Sequence, residues 1–575
     1  MFRRLLWRPE AAFFLLCFAA VSARFRDRAF NDPGAMWHVK VGELILSDGF
    51  MRTDPFTFTF TGKTWIPQQW GGEVAMAAAH AIGGFDGVLL GFAVFVAGLF
   101  TWLFARAVRD GMHPLLAGVV IGGAAVVSAF HFYARPHMAT LAGMAITMAV
   151  IMDYQRGRAG PWSLWALIPL FAVWTNIHGG VLGGTVTLGM AVCIWLCPPL
   201  PWGRGVRGEG ESSHLPSLRG GRREAAGGEI SPDKTPLPVA AQPTSPQRGE
   251  VFQTPTVPGC HATTSFPLTP NPSPPGERGT RDRLFLLAVL TACVLTPFVN
   301  PFGMEMIRTW RKIVGSPAMA ELVSEHQPLS IHHTAGQVVV GFAAFYAFIL
   351  FGVNPRNWKL VWLLPAVWFL LTLKGIRQGP LFAVTAAVVI ADAWASTKWY
   401  ALIKRHGDTL ATEPSETPRG WGWLALPAVL LAVGWGMQAN GANAPFVGRG
   451  WATLNRYAWP VELTDELQRY AASVPAGTPI YNDANLGGFV LYHAPTLKIF
   501  MDDRFELYGD RWIRDYVDVV YEHPERFDEW AKEYGFVMAL LVAEPEPTPL
   551  ELYLLKSQSW VEVARCERGV LFRKR

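Results

Sequence analysis

The sequence predicts a mainly α-helical, polytopic membrane protein with a small α/β domain at its C-terminal end. Three observations predict it. Of 575 residues, 51% are hydrophobic and only 17% are charged, whereas a soluble domain carries about 25% charged residues. Apolar runs close to the length of a bilayer span recur along the chain. The last stretch changes character, to short apolar strands alternating with amphipathic helices. This composition excludes a disordered chain. The net charge of +5 is small for the length and reads as membrane orientation, not as a nucleic-acid footprint. The six cysteines form no CxxC pair and no Cys/His metal spacing.

Candidate spans lie at roughly 9–23, 84–105, 114–131, 138–152, 162–176, 180–198, 284–300, 335–352, 359–373, 379–396 and 421–438, about 11 in all. The first follows Arg3, Arg4 and Arg8 and is taken as a retained span, since no small-residue cleavage site stands after it. With the N-terminus inside, the inner loops are denser in Lys and Arg than the outer ones. The odd count then puts the C-terminal tail outside the cytoplasm, at an inner membrane. Residues 199–283 are rich in Pro, Gly, Ser and Arg and read as a disordered cytoplasmic insertion. The expected organisation is a transmembrane domain of 1–198 and 284–438, that insertion, and an extracytoplasmic α/β domain of 440–575. In the tail, "TPIYND", "LKIFMDD" and "FVMALLV" read as buried strands. "VELTDELQRYAAS" and "HPERFDEWAKEYG" read as helices, with Thr464 as an N-cap for the first.

Polar residues at span ends are costly to place and therefore informative. Five distinctive segments share the outer face: the long loop 24–83, "FYARPHM", "WTNIHGG", the stretch from "TPFVNPFG" to "LVSEHQP", and "LKGIRQGP". Arg135, Lys374 and Arg377 are outer cations that defy the positive-inside bias, and together they suit a phosphate headgroup. Singly, each is as readily a helix cap. Asp32, in "NDPGAMWH", is placed to act as a general base or to cap a helix beginning at Pro33. Asp54 reads as a turn former and Glu73 as a helix-opening acid. Glu325 with His326 could hold a metal or a sugar hydroxyl. His38, His137 and His178 are further candidates. Asp502, Asp503 and Arg504 divide evenly between a ligand site and a salt-bridged strand end.

The segments "DPGAMWHVKVGELILSDGFMRTDPFTFTFTGKTWIPQQWGGEV", "ARPH", "WTNIHGG", "TPFVNPFG", "GIRQGPLFAV" and "YNDANLGGFVLYHAP…KIFMDDRFELYGD" resemble a bacterial group of polytopic proteins similar to GT-C glycosyltransferases. These are relatives of protein mannosyltransferases and of lipopolysaccharide-core enzymes that use polyprenyl-phosphate sugars. The resemblance spans nearly the whole chain outside 199–283. It implies a GT-C fold and an acidic catalytic residue in the first outer loop, at Asp32 here. Many members carry two adjacent acids there, where this chain has Asn31-Asp32-Pro33. The implied donor is a polyprenyl-phosphate sugar with its phosphate near Arg135 or Arg377. The implied acceptor is a glycan, a lipid or a protein side chain.

The expected function is an integral membrane glycosyltransferase. Asp32 would deprotonate the acceptor, and Arg135, Lys374 and Arg377 would steady the leaving phosphate. Trp37, His38, Trp70, His178, Glu325 and His326 would contact sugar or acceptor. No cofactor is required by the sequence, and a divalent metal is left open. Membrane lipids are partners and nucleic acid is not. Two alternatives stand beside this reading: a non-catalytic lipid- or glycan-binding scaffold of the same fold, and a secondary transporter.

Overall fold

The computed structural model describes residues 8–197, 280–322, 326–406 and 421–575. The expected insertion at 199–283 therefore lies, apart from its last four residues, outside the described residues. So does Glu325. The protein is mostly helical, with one five-stranded sheet near the C-terminus. Each apolar run expected to span is helical, from Pro9–Arg24 to Ala425–Ala439. Among the described residues, 6 helices can cross a membrane by length and composition: Phe85–Arg109, Pro114–His131, Met138–Gln155, Thr334–Phe351, Ile376–Trp394 and Gly422–Ala439. Trp162–Thr175, Val181–Leu196 and Leu360–Lys374 are shorter apolar helices.

The burial pattern follows from lipid as the solvent. Helix Gly379–Trp394 is buried on every side and lies among Met138–Gln155, Leu364–Lys374, Pro114–Ser128, Thr334–Phe351 and Phe85–Arg109. Its run of small residues, Ala383, Ala386, Ala387 and Ala391, lets those neighbours approach closely. By contrast, Leu115, Val119 and Val126 on Pro114–Ser128 and Phe351 on Thr334–Phe351 are exposed apolar side chains. In a membrane they meet acyl chains, so their exposure costs nothing.

The tail sheet has the order β2-β1-β3-β5-β4, with β1 Pro479–Asn482, β2 Lys498–Ile499, β3 Met538–Val542, β4 Trp560–Arg565 and β5 Gly569–Lys574. β1 pairs in parallel with β2 and β3, and β5 pairs antiparallel with β3 and β4. The three strands read from the sequence are β1, β2 and β3. The β4–β5 hairpin was not foreseen, because β4 is a half-exposed edge with little apolar signal. Thr464 does not cap its helix: it is the first helical residue, after a short 3-10 turn at Val461–Leu463.

The tail packs on the long loop 24–83. Helix Gly487–His493 lies against helix Gly34–Asp48. At Gly488 a Cβ would come within 2.5 Å of the Pro33 carbonyl, so the contact requires glycine. Thr57 bridges to Ile499 in parallel, and Phe58 N–H donates to the Ile499 carbonyl at 3.1 Å. One apolar cluster holds Met36, Trp37, Val41, Phe56 and Trp65 of the loop together with Trp459, Phe489, Ile499 and Leu571 of the tail.

Candidate functional site

The segments singled out in the sequence meet at one end of the helices. Ala134 N–H donates to the Ala29 carbonyl at 2.8 Å, which docks the "FYARPHM" turn on the start of the first loop. Trp70 Nε1–H donates to Asn176 Oδ1 at 2.7 Å, and Asn176 Nδ2 donates to the Val299 carbonyl at 2.7 Å. Arg52 reaches the Pro301 carbonyl at 3.0 Å. Ile376 N–H donates to the Gln327 carbonyl at 3.1 Å.

At the centre, Asp32 and Arg135 form an ion pair at 2.7 Å to Oδ1 and 2.8 Å to Oδ2. Asp32 Oδ1 also accepts the Gly34 N–H at 2.8 Å, but the helix begins at Gly34 with Pro33 as its N-cap, so Asp32 closes the turn before the helix and does not cap one that begins at Pro33. Gly34 is small for a reason: a Cβ there would sit 2.9 Å from the guanidinium carbon of Arg135. A second carboxylate, Asp503 from the turn after β2, lies 3.8 Å from the same guanidinium and accepts a hydrogen bond from Trp37 Nε1–H. Burial, with Asp32 and Asp502 adding to it against Arg135, pushes the Asp503 carboxyl up to about 7.

The neighbouring residues of Asp503 behave differently. Arg504 is fully buried, paired with Asp502 at 2.7 Å and with Asp54 at 2.8 Å. Its guanidinium lies 4.5 Å from the Trp65 ring centroid and 5.0 Å from that of Phe56. Asp502 also accepts the Tyr508 hydroxyl at 2.9 Å. The even division made from sequence thus splits within the motif: Asp502 and Arg504 are a buried staple, and Asp503 faces the site. Asp54 forms its expected turn, accepting the Thr57 N–H at 2.9 Å, and pairs with Arg504 as well.

On the other side of Arg135 lie imidazoles. The rings of His131 and His137 are 4.5 Å apart, and those of His137 and His178 are 6.3 Å apart. His178 Nδ1 accepts the Gly180 N–H at 2.9 Å and meets the Thr140 hydroxyl at 2.8 Å, which leaves the proton on Nε2. Burial first, then nearby positive and imidazole groups, hold His137 and His178 well below the usual histidine range. Both are therefore neutral at pH 7. Arg377 belongs to this group through its effect on His178, and its guanidinium donates to His326 Nε2. Burial and Arg377 push His326 down to about 4.

Of the remaining candidates, His38 pairs with Glu73 at 3.1 Å, both wholly buried. Desolvation holds Glu73 well above and His38 well below their usual values, so the pair is two neutral groups. The Trp37 and His38 rings are 3.8 Å apart, so His38 backs the ring that contacts Asp503. Lys374 is exposed at the end of its helix and makes no ion pair with another described residue. Among the described residues no group of three or more His, Cys, Asp and Glu is arranged to hold a metal ion. His131 and the pairing of Asp54 with Arg504 are not foreseen in the sequence, and Asp503 stands there only as an even choice between a ligand site and a strand end. The signal for Asp503 and Arg504 is the density of charge in "MDDRFE" directly after a strand.

No family model matches the sequence, and no curated protein matches it. Among solved structures, the chain is similar to the oligosaccharyltransferase of Archaeoglobus fulgidus tethered with an acceptor peptide, at TM-score 0.47 and 12% identity. That match covers 93% of this chain and 69% of the other. It is equally similar, at TM-score 0.47 and 11% identity, to the same organism's AglB in complex with an inhibitory peptide and a dolichol-phosphate, again over 93% of this chain and 69% of that one. ArnT from Cupriavidus metallidurans bound to undecaprenyl phosphate matches at TM-score 0.45 and 13% identity, over 98% of this chain and 97% of that one.

Proposed function

We propose that the protein is an integral membrane glycosyltransferase of the outer face. It would move a sugar from a polyprenyl phosphate to a glycan, lipid or protein acceptor. One observation carries the reading: Arg135 has two carboxylates beside it, Asp32 and Asp503, and shares its surroundings with neutral His178, whose Nε2–H is the donor, and with Arg377. Glycosyl transfer needs both ends. The attacking hydroxyl must lose a proton to a base, and the departing phosphate must gain stabilisation from fixed donors. The neutral imidazole of His178 suits the second task, because its Nε2–H donates a hydrogen bond without adding a charge that competes with Arg135 for Asp32. Lys374, at the exposed edge, would meet lipid headgroups and not the reacting phosphate. In this topology the tail domain lies outside the cytoplasm, on the acceptor's side, and contributes to acceptor binding.

The test is release of polyprenyl phosphate by detergent-purified protein from a panel of short-chain polyprenyl-phosphate hexoses and pentoses. Release that depends on an added acceptor supports the reading, and absence of release with every donor ends it. A non-catalytic lipid- or glycan-binding role is the second reading. It is favoured by the closure of Asp32, which is 6% exposed and held by both its ion pair and the Gly34 N–H. Donor binding without release would favour it.

A further inference from the structure

Resting on the glycosyl-transfer reading, we infer that the proton acceptor is Asp503 of the C-terminal tail, and that Asp32 is a positioning residue which fixes Arg135. The two carboxylates flank one guanidinium but are not equivalent. Asp32 is committed: Oδ1 accepts the Gly34 N–H at 2.8 Å, and its two oxygens take Arg135 at 2.7 and 2.8 Å. Of the roughly four acceptor sites of a carboxylate, Asp32 has three engaged. Asp503 uses Oδ1 for the Trp37 Nε1–H, and its Oδ2 is 3.8 Å from Arg135, beyond hydrogen-bond reach. It is also the more exposed of the two, at 11% against 6%.

The chain presents Asp503 rigidly. Asp502 is fixed by its N–H to the Tyr508 oxygen at 2.9 Å, and Arg504 by its N–H to Asp502 Oδ1 at 3.0 Å. The charged groups that face Asp503 are Arg135 from the "FYARPHM" turn, Asp32 from the first loop and Asp502 beside it, with Trp37 closing the fourth side. Burial, with Asp32 and Asp502 adding to it against Arg135, holds Asp503 near neutrality, where a general base works best; Asp502 itself is paired with Arg504. In the step, the acceptor oxygen forms a bond to the sugar anomeric carbon. The bond from that carbon to the phosphate oxygen breaks, the polyprenyl phosphate leaves with the electron pair, and the hydroxyl proton passes to Asp503 Oδ2. This makes the tail part of the active site.

The experiment is the pH profile of polyprenyl phosphate release between pH 5 and pH 9 for wild type, Asp503→Asn, Asp503→Glu and Asp32→Asn. Wild type should rise through about pH 7. Asp503→Asn should lose roughly 100-fold or more and show no rise, while Asp503→Glu, which keeps a proton acceptor, should recover part of the rate and the rise. Asp32→Asn removes a repelling charge and frees Arg135 for Asp503, so its rise should persist but shift to lower pH. If Asp503→Asn keeps the rise near pH 7, or the rise disappears in Asp32→Asn instead, the assignment is overturned while glycosyl transfer stands. If wild type releases nothing from any donor, the transfer reading fails, and the base role with it. Recovery in Asp503→Glu separates lost chemistry from lost folding.

Discussion

The helix bundle carries a charge cluster at each end, and the two are built on opposite terms. At one end Arg106, Arg109, Arg156, Arg158 and Lys359 surround Asp110, Asp153 and Asp392. Each carboxylate there meets two or more cations, and Asp153 takes a bidentate grip from Arg106 at 2.7 and 2.9 Å. Asp392 also accepts the Trp362 Nε1–H at 2.7 Å. About 27 Å away, by the rise of Met138–Gln155, two carboxylates share the single Arg135. Where cations outnumber acids, each acid is clasped by two or more of them and the helix ends are latched together. Where acids outnumber cations, one acid is left with a proton affinity near neutrality. An excess of acid over base at a buried cluster marks the end where protons can move.

That contrast is broken or sharpened first by removing its central residues. Arg135→Ala should cost roughly 100- to 1000-fold in polyprenyl phosphate release, the range for losing a preorganised donor. Asp110→Asn, at the latched end, should lower the melting temperature in detergent yet leave release within a few-fold. Equal losses of release in both variants would mean that the two ends do not differ in kind. Next comes the staple beneath Asp503. Asp54→Ala leaves the Arg504 guanidinium buried with half its partners, and should destabilise by about 3–5 kcal/mol. Denaturation of purified protein measures this, and an unchanged midpoint would show that the loop and the tail are held together elsewhere. A smaller effect is expected at Gly34→Ala. The new methyl group would press on the Arg135 guanidinium, so release should fall while the melting temperature holds.

Most of the fold was legible because its signals are local. An apolar run of span length can be only a few things, and all those read as spans are helical. Asp32, Arg135 and Arg377 stand out in the sequence for a related reason: a charge at or near a span end is costly. Position in space was not legible. Nothing near Arg504 in the sequence reveals that its second partner is Asp54, some 450 residues earlier, because ion pairs between distant segments leave no periodic trace. Asp503 shows the limit most sharply. Within "MDDRFE", alternation in burial sends Asp502 and Arg504 inward to each other and Asp503 toward Arg135. That distinction depends on the turn after β2 and on the loop docked against it.

The smallest expected effect is also the most specific, because its sign is fixed by direction alone. The folded protein holds Asp503 at about 7 against an ordinary 3.8. Between about pH 4 and pH 7 the native state keeps a proton that the unfolded chain has released, so this group's contribution is full below pH 4 and is lost as pH rises through 7. His326 works the other way. Its folded value is about 4 against an ordinary 6.5. The unfolded chain therefore binds the extra proton in that window, and stability from this group is full above 6.5 and lost as pH falls through 4. The two slopes oppose each other in wild type. Asp503→Asn removes only the falling one, so melting temperatures of variant minus wild type should climb from pH 4.5 to pH 7.5. His326→Gln removes only the rising one, and its difference should climb as pH falls. A flat difference for Asp503→Asn would mean that Arg135 neutralises Asp503 as fully as it does Asp32, and the asymmetry between the two carboxylates would be gone.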